Sequence, residues 1–170
     1  GTMVRQWMKF NGGADWKNPE KNKIGKLITY GSTHHGTTLL GIGWLGRQIN
    51  NAGLDVLGLA ELPVGSAGID QIVGSPFLTK LNRTKKVFPG VDYTIVGSRY
   101  DEVTTPYDST FLPAEKNVRN ITLQNGCEQD VSDHLSMSYS PRAISIALRA
   151  LDPQRYPDLV CTANPWFFSF

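Results

Sequence analysis

The apolar and polar positions of this chain recur with two periods, one typical of helices and one typical of buried strands. Near the start, apolar residues recur at helical spacing until Gly12 and Gly13, which predicts a helix that stops at these glycines. The apolar positions of this helix are Met3, Val4, Trp7, Met8 and Phe10. The clearest helix follows Ser140 as the predicted N-cap and Pro141 as the first helical residue. Its apolar positions are Ala143, Ile144, Ala147, Leu148 and Leu151.

Short apolar runs predict three strands between the helical segments. They are KLITY at residues 26–30, the stretch from Tyr93 to Val96 and the stretch from Asn120 to Leu123. Strands that alternate with helices are typical of an α/β fold with a mostly parallel sheet. The Gly-rich apolar region from 39 to 82 predicts two to four short helices. We therefore expect core segments at 1–38 and 83–170, separated by a helical insertion at 39–82.

Composition and charge narrow the class of protein. The chain has 170 residues, of which 40% are hydrophobic and 19% are charged, and this fits one globular domain or a large piece of one. Its formal net charge of +2 comes from scattered residues without a run of like charges, which argues against nucleic-acid binding or an electrostatic membrane anchor. No uncharged apolar run reaches the roughly 18 residues that a membrane-spanning helix needs.

The two cysteines leave two alternatives open. Cys127 and Cys161 both lie beside polar turn residues, which favours a disulfide over two free, buried thiols. A disulfide would indicate an oxidising compartment. It would close a long C-terminal loop and contribute about 3–4 kcal/mol to the free energy of unfolding.

Two polar loops follow predicted strands and carry the candidate chemistry. Asp101 comes soon after the strand that ends at Val96, and His134 lies in a loop before the last helix. In open α/β sheets, catalytic groups collect at the C-terminal ends of strands. An acid followed later in the chain by a histidine is the order of the α/β-hydrolase triad, in which both follow the nucleophilic serine. Glu102 and Asp108 are rival acids, and Asp101 is preferred because it lies closest to the strand end.

The serine itself has no candidate, because the chain contains no G-x-S-x-G pattern. The adjacent pair His34 and His35 is not expected to bind a metal, since neighbouring residues do not point the same way in a strand or turn. Structural hydrogen bonding is the expected role of this pair. A Ser-Asp-His triad needs no metal or cofactor, and none is predicted.

Several segments together resemble the secreted bacterial triacylglycerol lipases of the class 2 lipase family, which have the α/β-hydrolase fold. They are RQWMKFNGG, KLITYGSTHHGT, YTIVGSRYDEVTTPY, NITLQNGC and DHLSMSYSPRAISIALRALDP, followed by the final cysteine. The resemblance implies that Asp101 is the triad acid, that His134 is the base and that Cys127 and Cys161 form a disulfide. It also implies that Gly1 is the last glycine of the nucleophile elbow. The serine and the oxyanion-hole residues would then belong to an N-terminal half outside this chain, and the chain alone would be inactive.

The resemblance leads to a specific functional expectation, with two alternatives. The expected function is hydrolysis of fatty-acyl esters at a lipid–water interface by a secreted, extracellular triacylglycerol lipase. The expected partner is the N-terminal half of the same protein, which carries the catalytic serine. The insertion at 39–82 would form a cap over the active site, and its expected substrate-binding residues are Leu39, Leu40, Ile42, Trp44, Leu45 and Phe77. The alternatives are a carboxylesterase or polyester hydrolase without lipid preference, and a non-catalytic fragment that binds lipid or a protein partner.

Overall fold

Three parallel strands form the sheet of the protein in the computed structural model, which describes residues 1–38 and 65–166. Strand β1 is Lys26–Tyr30, β2 is Asp92–Gly97 and β3 is Val118–Thr122. The spatial order is β1-β2-β3, and both neighbouring pairs are parallel. Parallel strands surrounded by helices place this chain in the α/β class, as the alternation of apolar runs predicts.

The helices begin at residues that favour helix starts. Helix α1 is Thr2–Phe10, α2 is Pro76–Asn82 and α3 is Pro141–Leu151, and residues 65–70 are also helical. The hydroxyl oxygen of Ser140 accepts a hydrogen bond from the backbone N–H of Ala143 at 3.1 Å, so the predicted N-cap of α3 is confirmed. Ser75 caps α2 in the same way through Leu78.

Two apolar clusters cover the two faces of the sheet. Tyr93 and Ile95 of β2 point to one face and pack with Met8 of α1. The next residue along, Val96, points to the other face and packs with Ala143 and Ile146 of α3. Successive strand residues point to opposite faces, so α1 and α3 lie on opposite sides of the sheet.

The buried faces of the helices differ from those that the apolar pattern indicates. Helix α1 buries Thr2, Arg5 and Met8 and leaves Met3, Trp7 and Phe10 exposed. Helix α3 likewise buries Arg142, Ala143, Ser145 and Ile146 and exposes Ile144 and Leu151. Arg5 is buried because its guanidinium donates to the carbonyl of His34 and to the side chain of Asn82, and burial lowers its pKa to about 10.

A disulfide joins Cys127 to Cys161 and attaches the C-terminal segment to the loop after β3. The alternative of two free thiols is therefore excluded. This bond is compatible with an oxidising compartment. In the ranges 1–38 and 65–166, no helix combines the length and apolar character needed to cross a bilayer.

Candidate active site

The C-terminal ends of the three strands meet at one edge of the sheet, because the strands are parallel. Gly31 directly follows β1, the loop containing Asp101 follows β2, and the loop containing His134 follows β3. Asp101 and His134 are 33 positions apart in the chain, and the shared strand direction brings their loops together. This edge is where the strand-end rule predicts functional side chains.

The side chains of Asp101 and His134 contact each other directly. The ring nitrogen Nδ1 of His134 lies 2.9 Å from Oδ2 and 3.0 Å from Oδ1 of Asp101. The Asp101 side chain is 1% exposed, whereas that of His134 is 26% exposed. A buried carboxylate therefore contacts the inner nitrogen of a ring that is itself partly open to solvent.

Backbone groups hold the Asp101 carboxylate in place. Its Oδ1 accepts hydrogen bonds from the N–H of Val103 at 3.0 Å and of Thr104 at 2.6 Å. The Thr104 hydroxyl donates to the carbonyl of Gly31 at 2.6 Å and so ties this turn to the end of β1. Two backbone donors fix the carboxylate, so the orientation of Asp101 does not depend on its contact with the imidazole alone.

Asp101 also controls the protonation of His134. The hydrogen bond that His134 makes to the Asp101 carboxylate is the largest influence on this imidazole, and it raises the pKa of His134 although partial burial opposes the shift. A carboxylate on Nδ1 favours the tautomer with its proton on Nδ1, which leaves the lone pair on Nε2. Among the described residues, Nε2 makes no hydrogen bond. His134 is therefore arranged to accept a proton at Nε2. The Asp101 carboxylate on Nδ1 would stabilise the resulting imidazolium.

A buried polar network supports the loop that carries His134. The Asp130 carboxylate is fully buried and accepts from the N–H and hydroxyl of Ser132 and from the hydroxyl of Ser140. Asn164 donates to the Ser132 hydroxyl at 2.9 Å and to the carbonyl of Ser136 at 3.2 Å. Because the network joins this loop to α3 and to the C-terminal segment, the position of His134 depends on long-range contacts.

Gly31 lies where a side chain would collide with this pair. Its φ is +50°, in the left-handed region that side chains rarely adopt. A Cβ at this position would lie 2.6 Å from Oδ2 of Asp101 and 3.0 Å from Nδ1 of His134. Glycine is therefore required here both for backbone conformation and for space.

A cleft of about 410 Å³ opens beside His134. Its walls are formed by Gly1, Ile28, Thr29, Tyr30, His134, Leu135 and Ser138. Among the described residues of this wall, Ser138 is the only serine, and its hydroxyl donates to the carbonyl of Leu135 at 2.7 Å rather than to His134. A larger groove of about 660 Å³, next to Trp16 and Phe88, contains neither Asp101 nor His134.

The rival acids and the histidine pair have other contacts. Glu102 accepts from the backbone N–H of His134, not from its ring, and Asp108 is exposed in the turn Tyr107–Thr110. His34 is fully buried beside Thr29, and burial holds its pKa well below the usual value.

His35 makes its own separate contacts. Its Nδ1 lies 3.1 Å from the carbonyl of Ser109, and its Nε2 lies 2.9 Å from the Lys86 ammonium. In the described ranges, no three potential ligands from His, Cys, Asp and Glu are grouped as a metal site would require.

The predicted cap is mostly outside the described residues. Leu39, Leu40, Ile42, Trp44 and Leu45 all fall there. Phe77 is described, and it lies half-buried on α2 without lining the cleft beside His134. The assignment of these six residues to substrate binding stays a prediction.

The sequence analysis did not predict the roles of Gly31 and Thr104 in the site. It also did not predict that Glu102 contacts the backbone of His134. A glycine at the C-terminal end of a predicted strand was a usable signal for Gly31. The other two contacts depend on how two distant loops meet, which no local pattern shows.

No protein-family model matches this chain, and no curated protein matches it either.

Proposed function

We propose that this chain is the C-terminal part of a secreted serine ester hydrolase with the α/β-hydrolase fold, acting as a triacylglycerol lipase. Asp101 and His134 are the acid and base of its triad, and the serine lies upstream of Gly1. The observation that carries the proposal is the buried Asp101 carboxylate on Nδ1 of a His134 ring whose Nε2 is unengaged among the described residues.

The position of Gly1 supports an upstream serine. Gly1 lines the same cleft as His134. In the G-x-S-x-G-G elbow that the sequence resemblance implies, the serine precedes this glycine by three residues, and a fully extended chain of that length spans at most about 10–11 Å. A serine so placed would lie beside the cleft that His134 lines, which supports its role as the nucleophile.

The reaction that follows is acyl transfer in two steps. The serine hydroxyl attacks the ester carbonyl while Nε2 of His134 accepts its proton, and Asp101 stabilises the imidazolium. The imidazolium then protonates the leaving alcohol, and an acyl-serine remains. In the second step, His134 takes a proton from water as the water oxygen attacks the acyl carbonyl. The imidazolium then returns this proton to the serine oxygen as the acyl–serine bond breaks, which releases the free acid and restores the serine hydroxyl.

The lipase assignment and the secreted location rest on further support. The segments that resemble secreted lipases include both loops of the Asp101–His134 pair. The disulfide between Cys127 and Cys161 fits an extracellular protein, because such bonds persist in oxidising compartments. The segment at 39–82 is rich in apolar residues, a composition that fits a lipid substrate.

The test uses the protein with its upstream part. A fluorophosphonate probe reacts with an activated serine, and mass spectrometry of the labelled peptide identifies which one. We expect a label upstream of Gly1, and its loss in the His134→Ala variant. Ester hydrolysis should fall by about 10⁴-fold in His134→Ala and Asp101→Asn. The matched control is Glu128→Gln, which removes an exposed carboxylate and should leave turnover unchanged.

Further readouts separate the alternatives. Because Asp101 raises the pKa of His134, kcat/KM should rise with pH through a pKa above the usual value for histidine. Turnover of emulsified long-chain glycerides compared with short soluble esters distinguishes a lipase from an esterase. Normal hydrolysis by His134→Ala contradicts the triad assignment, and a label on a serine within this chain contradicts the upstream position.

A further inference from the structure

We propose that Glu102 is a positioning residue for His134, which it holds by the backbone while Asp101 holds the ring. This inference rests on the proposed function for its meaning in catalysis, but its physical content concerns this chain alone. The observation is that two adjacent acidic residues contact two different parts of one histidine.

The contact geometry separates the roles of the two acids. Oε2 of Glu102 accepts a hydrogen bond from the backbone N–H of His134 at 3.1 Å, and Asp101 contacts Nδ1 of the same residue. A ring contact alone leaves the loop free to move with the ring. Two anchors that differ in position fix both the loop and the rotation of the side chain, so Nε2 keeps one direction into the cleft.

The loop of His134 has its own local support, which limits what Glu102 must supply. Asp133 accepts from the N–H groups of Leu135 and Ser136, and its own N–H donates to the Ser136 hydroxyl. These contacts stabilise the turn that contains His134. The backbone N–H of His134 takes part in none of them, and Glu102 supplies its contact across to the β2 loop.

Among the described residues, the charges that face His134 are three carboxylates from two loops. Asp101 and Glu102 come from the loop after β2, and Asp133 comes from the loop of His134 itself. All three raise the pKa of His134, with Asp101 the strongest, and Gly1 and Tyr30 line the same cleft. Glu102 therefore acts on His134 both as a charge and as a hydrogen-bond acceptor, and suitable variants separate the two effects.

Two substitutions distinguish these effects. Glu102→Gln removes the charge but keeps a side-chain oxygen that can accept from the His134 N–H, whereas Glu102→Ala removes both. The first measurement is an NMR titration of His134 in the protein with its upstream part, assigned with His134→Gln. The second is the hydrogen-exchange rate of the His134 backbone N–H. Glu128→Gln is the control for loss of a carboxylate.

We expect both variants to lower the pKa of His134 by a similar amount, because both lose the same charge. Only Glu102→Ala should speed exchange of the His134 N–H. In the protein with its upstream part, kcat should fall about tenfold in Glu102→Ala and less in Glu102→Gln, with KM unchanged.

Two results overturn the positioning role. In the first, exchange in Glu102→Ala equals that of the unchanged chain. In the second, Glu102→Gln exchanges as fast as Glu102→Ala, which leaves only the charge. Failure of the proposed function looks different: hydrolysis is then absent or independent of His134, while the NMR results for Glu102 remain.

Discussion

At the residue scale, Gly31 shows how closely the backbone approaches the two side chains of the site. It directly follows β1 in a left-handed conformation, and its carbonyl accepts a hydrogen bond from the hydroxyl of Thr104 in the Asp101 turn. The residue therefore joins two loops and also leaves room for the carboxylate between them. No other residue type satisfies both requirements without moving Asp101 or His134.

Gly31→Ala is expected to separate Asp101 from His134. The new Cβ would overlap the Asp101 carboxylate, so the pKa of His134 should fall towards its ordinary value, and the chain should lose about 1–3 kcal/mol of stability. NMR titration and urea unfolding measure the two effects. Gly25→Ala is the matched control, because a Cβ at Gly25 meets nothing within 4 Å. An unchanged His134 titration in Gly31→Ala contradicts this account.

The pairing of Asp101 with His134 was predictable, but their surroundings were not. Both residues follow predicted strands, and parallel strands place their ends together, so position along the chain was sufficient. The contact of Glu102 with the His134 backbone depends on side-chain direction within a turn. Sequence spacing does not encode that direction, so the sequence indicates Glu102 only as an alternative to Asp101 for the acid that contacts the His134 ring.

At the element scale, helix α3 depends on a cap that is also part of the buried network. The Ser140 hydroxyl accepts from the N–H of Ala143 and donates to Asp130 at 2.6 Å. The start of the helix and the support of the His134 loop therefore share one side chain.

Ser140→Ala should lower the free energy of unfolding by about 2 kcal/mol. About 1 kcal/mol comes from the lost cap, and the rest comes from a buried carboxylate left with one donor fewer. The control is Ser138→Ala, two residues earlier, where an exposed hydroxyl donates only to a backbone carbonyl and the expected change stays within about 0.5 kcal/mol. Chemical denaturation of both variants measures their free energies of unfolding. Equal decreases in the two variants would contradict a stabilising contribution from the cap and the network.

The elements were easier to predict than the faces they bury. The strand at Lys26–Tyr30 and the start of α3 at Pro141 agree with their local signals. The helix faces differ because Arg5 and Arg142 are buried by hydrogen bonds to backbone carbonyls. A hydropathy pattern assigns arginine to the surface and cannot anticipate such partners.

At the scale of the whole molecule, the disulfide fixes a segment that otherwise has few anchors. Cys127 and Cys161 are 34 positions apart, and the segment before Cys161 is mostly exposed. Beyond Cys161, an isolated β-bridge between Asp130 and Asn164 attaches the chain to the loop after β3. The crosslink therefore acts mainly by restricting the unfolded chain.

Removal of the disulfide should lower the free energy of unfolding by about 3–4 kcal/mol. The comparison is between the unchanged chain, with and without a reductant, and the Cys127→Ser/Cys161→Ser variant in the same two conditions. The reductant should shift the unfolding midpoint of the unchanged chain to that of the variant and leave the variant unaffected. A midpoint that the reductant does not move in the unchanged chain contradicts the expected contribution.

The strands that pair in the sheet are far apart in the sequence, so the sheet is expected to form slowly during folding. Lys26 pairs with Asp92 and Tyr93 pairs with Val118, so both interfaces close long loops and neither can form as a local hairpin. Domains dominated by such distant pairings fold in roughly milliseconds to seconds, whereas helical bundles need microseconds to milliseconds. During synthesis, β1 leaves the ribosome before β2, the described strand with which it pairs, has been made. A newly made chain therefore carries β1 without β2 for several seconds, at the elongation rate of about 5–20 residues per second, and chaperones that bind extended segments have time to capture it.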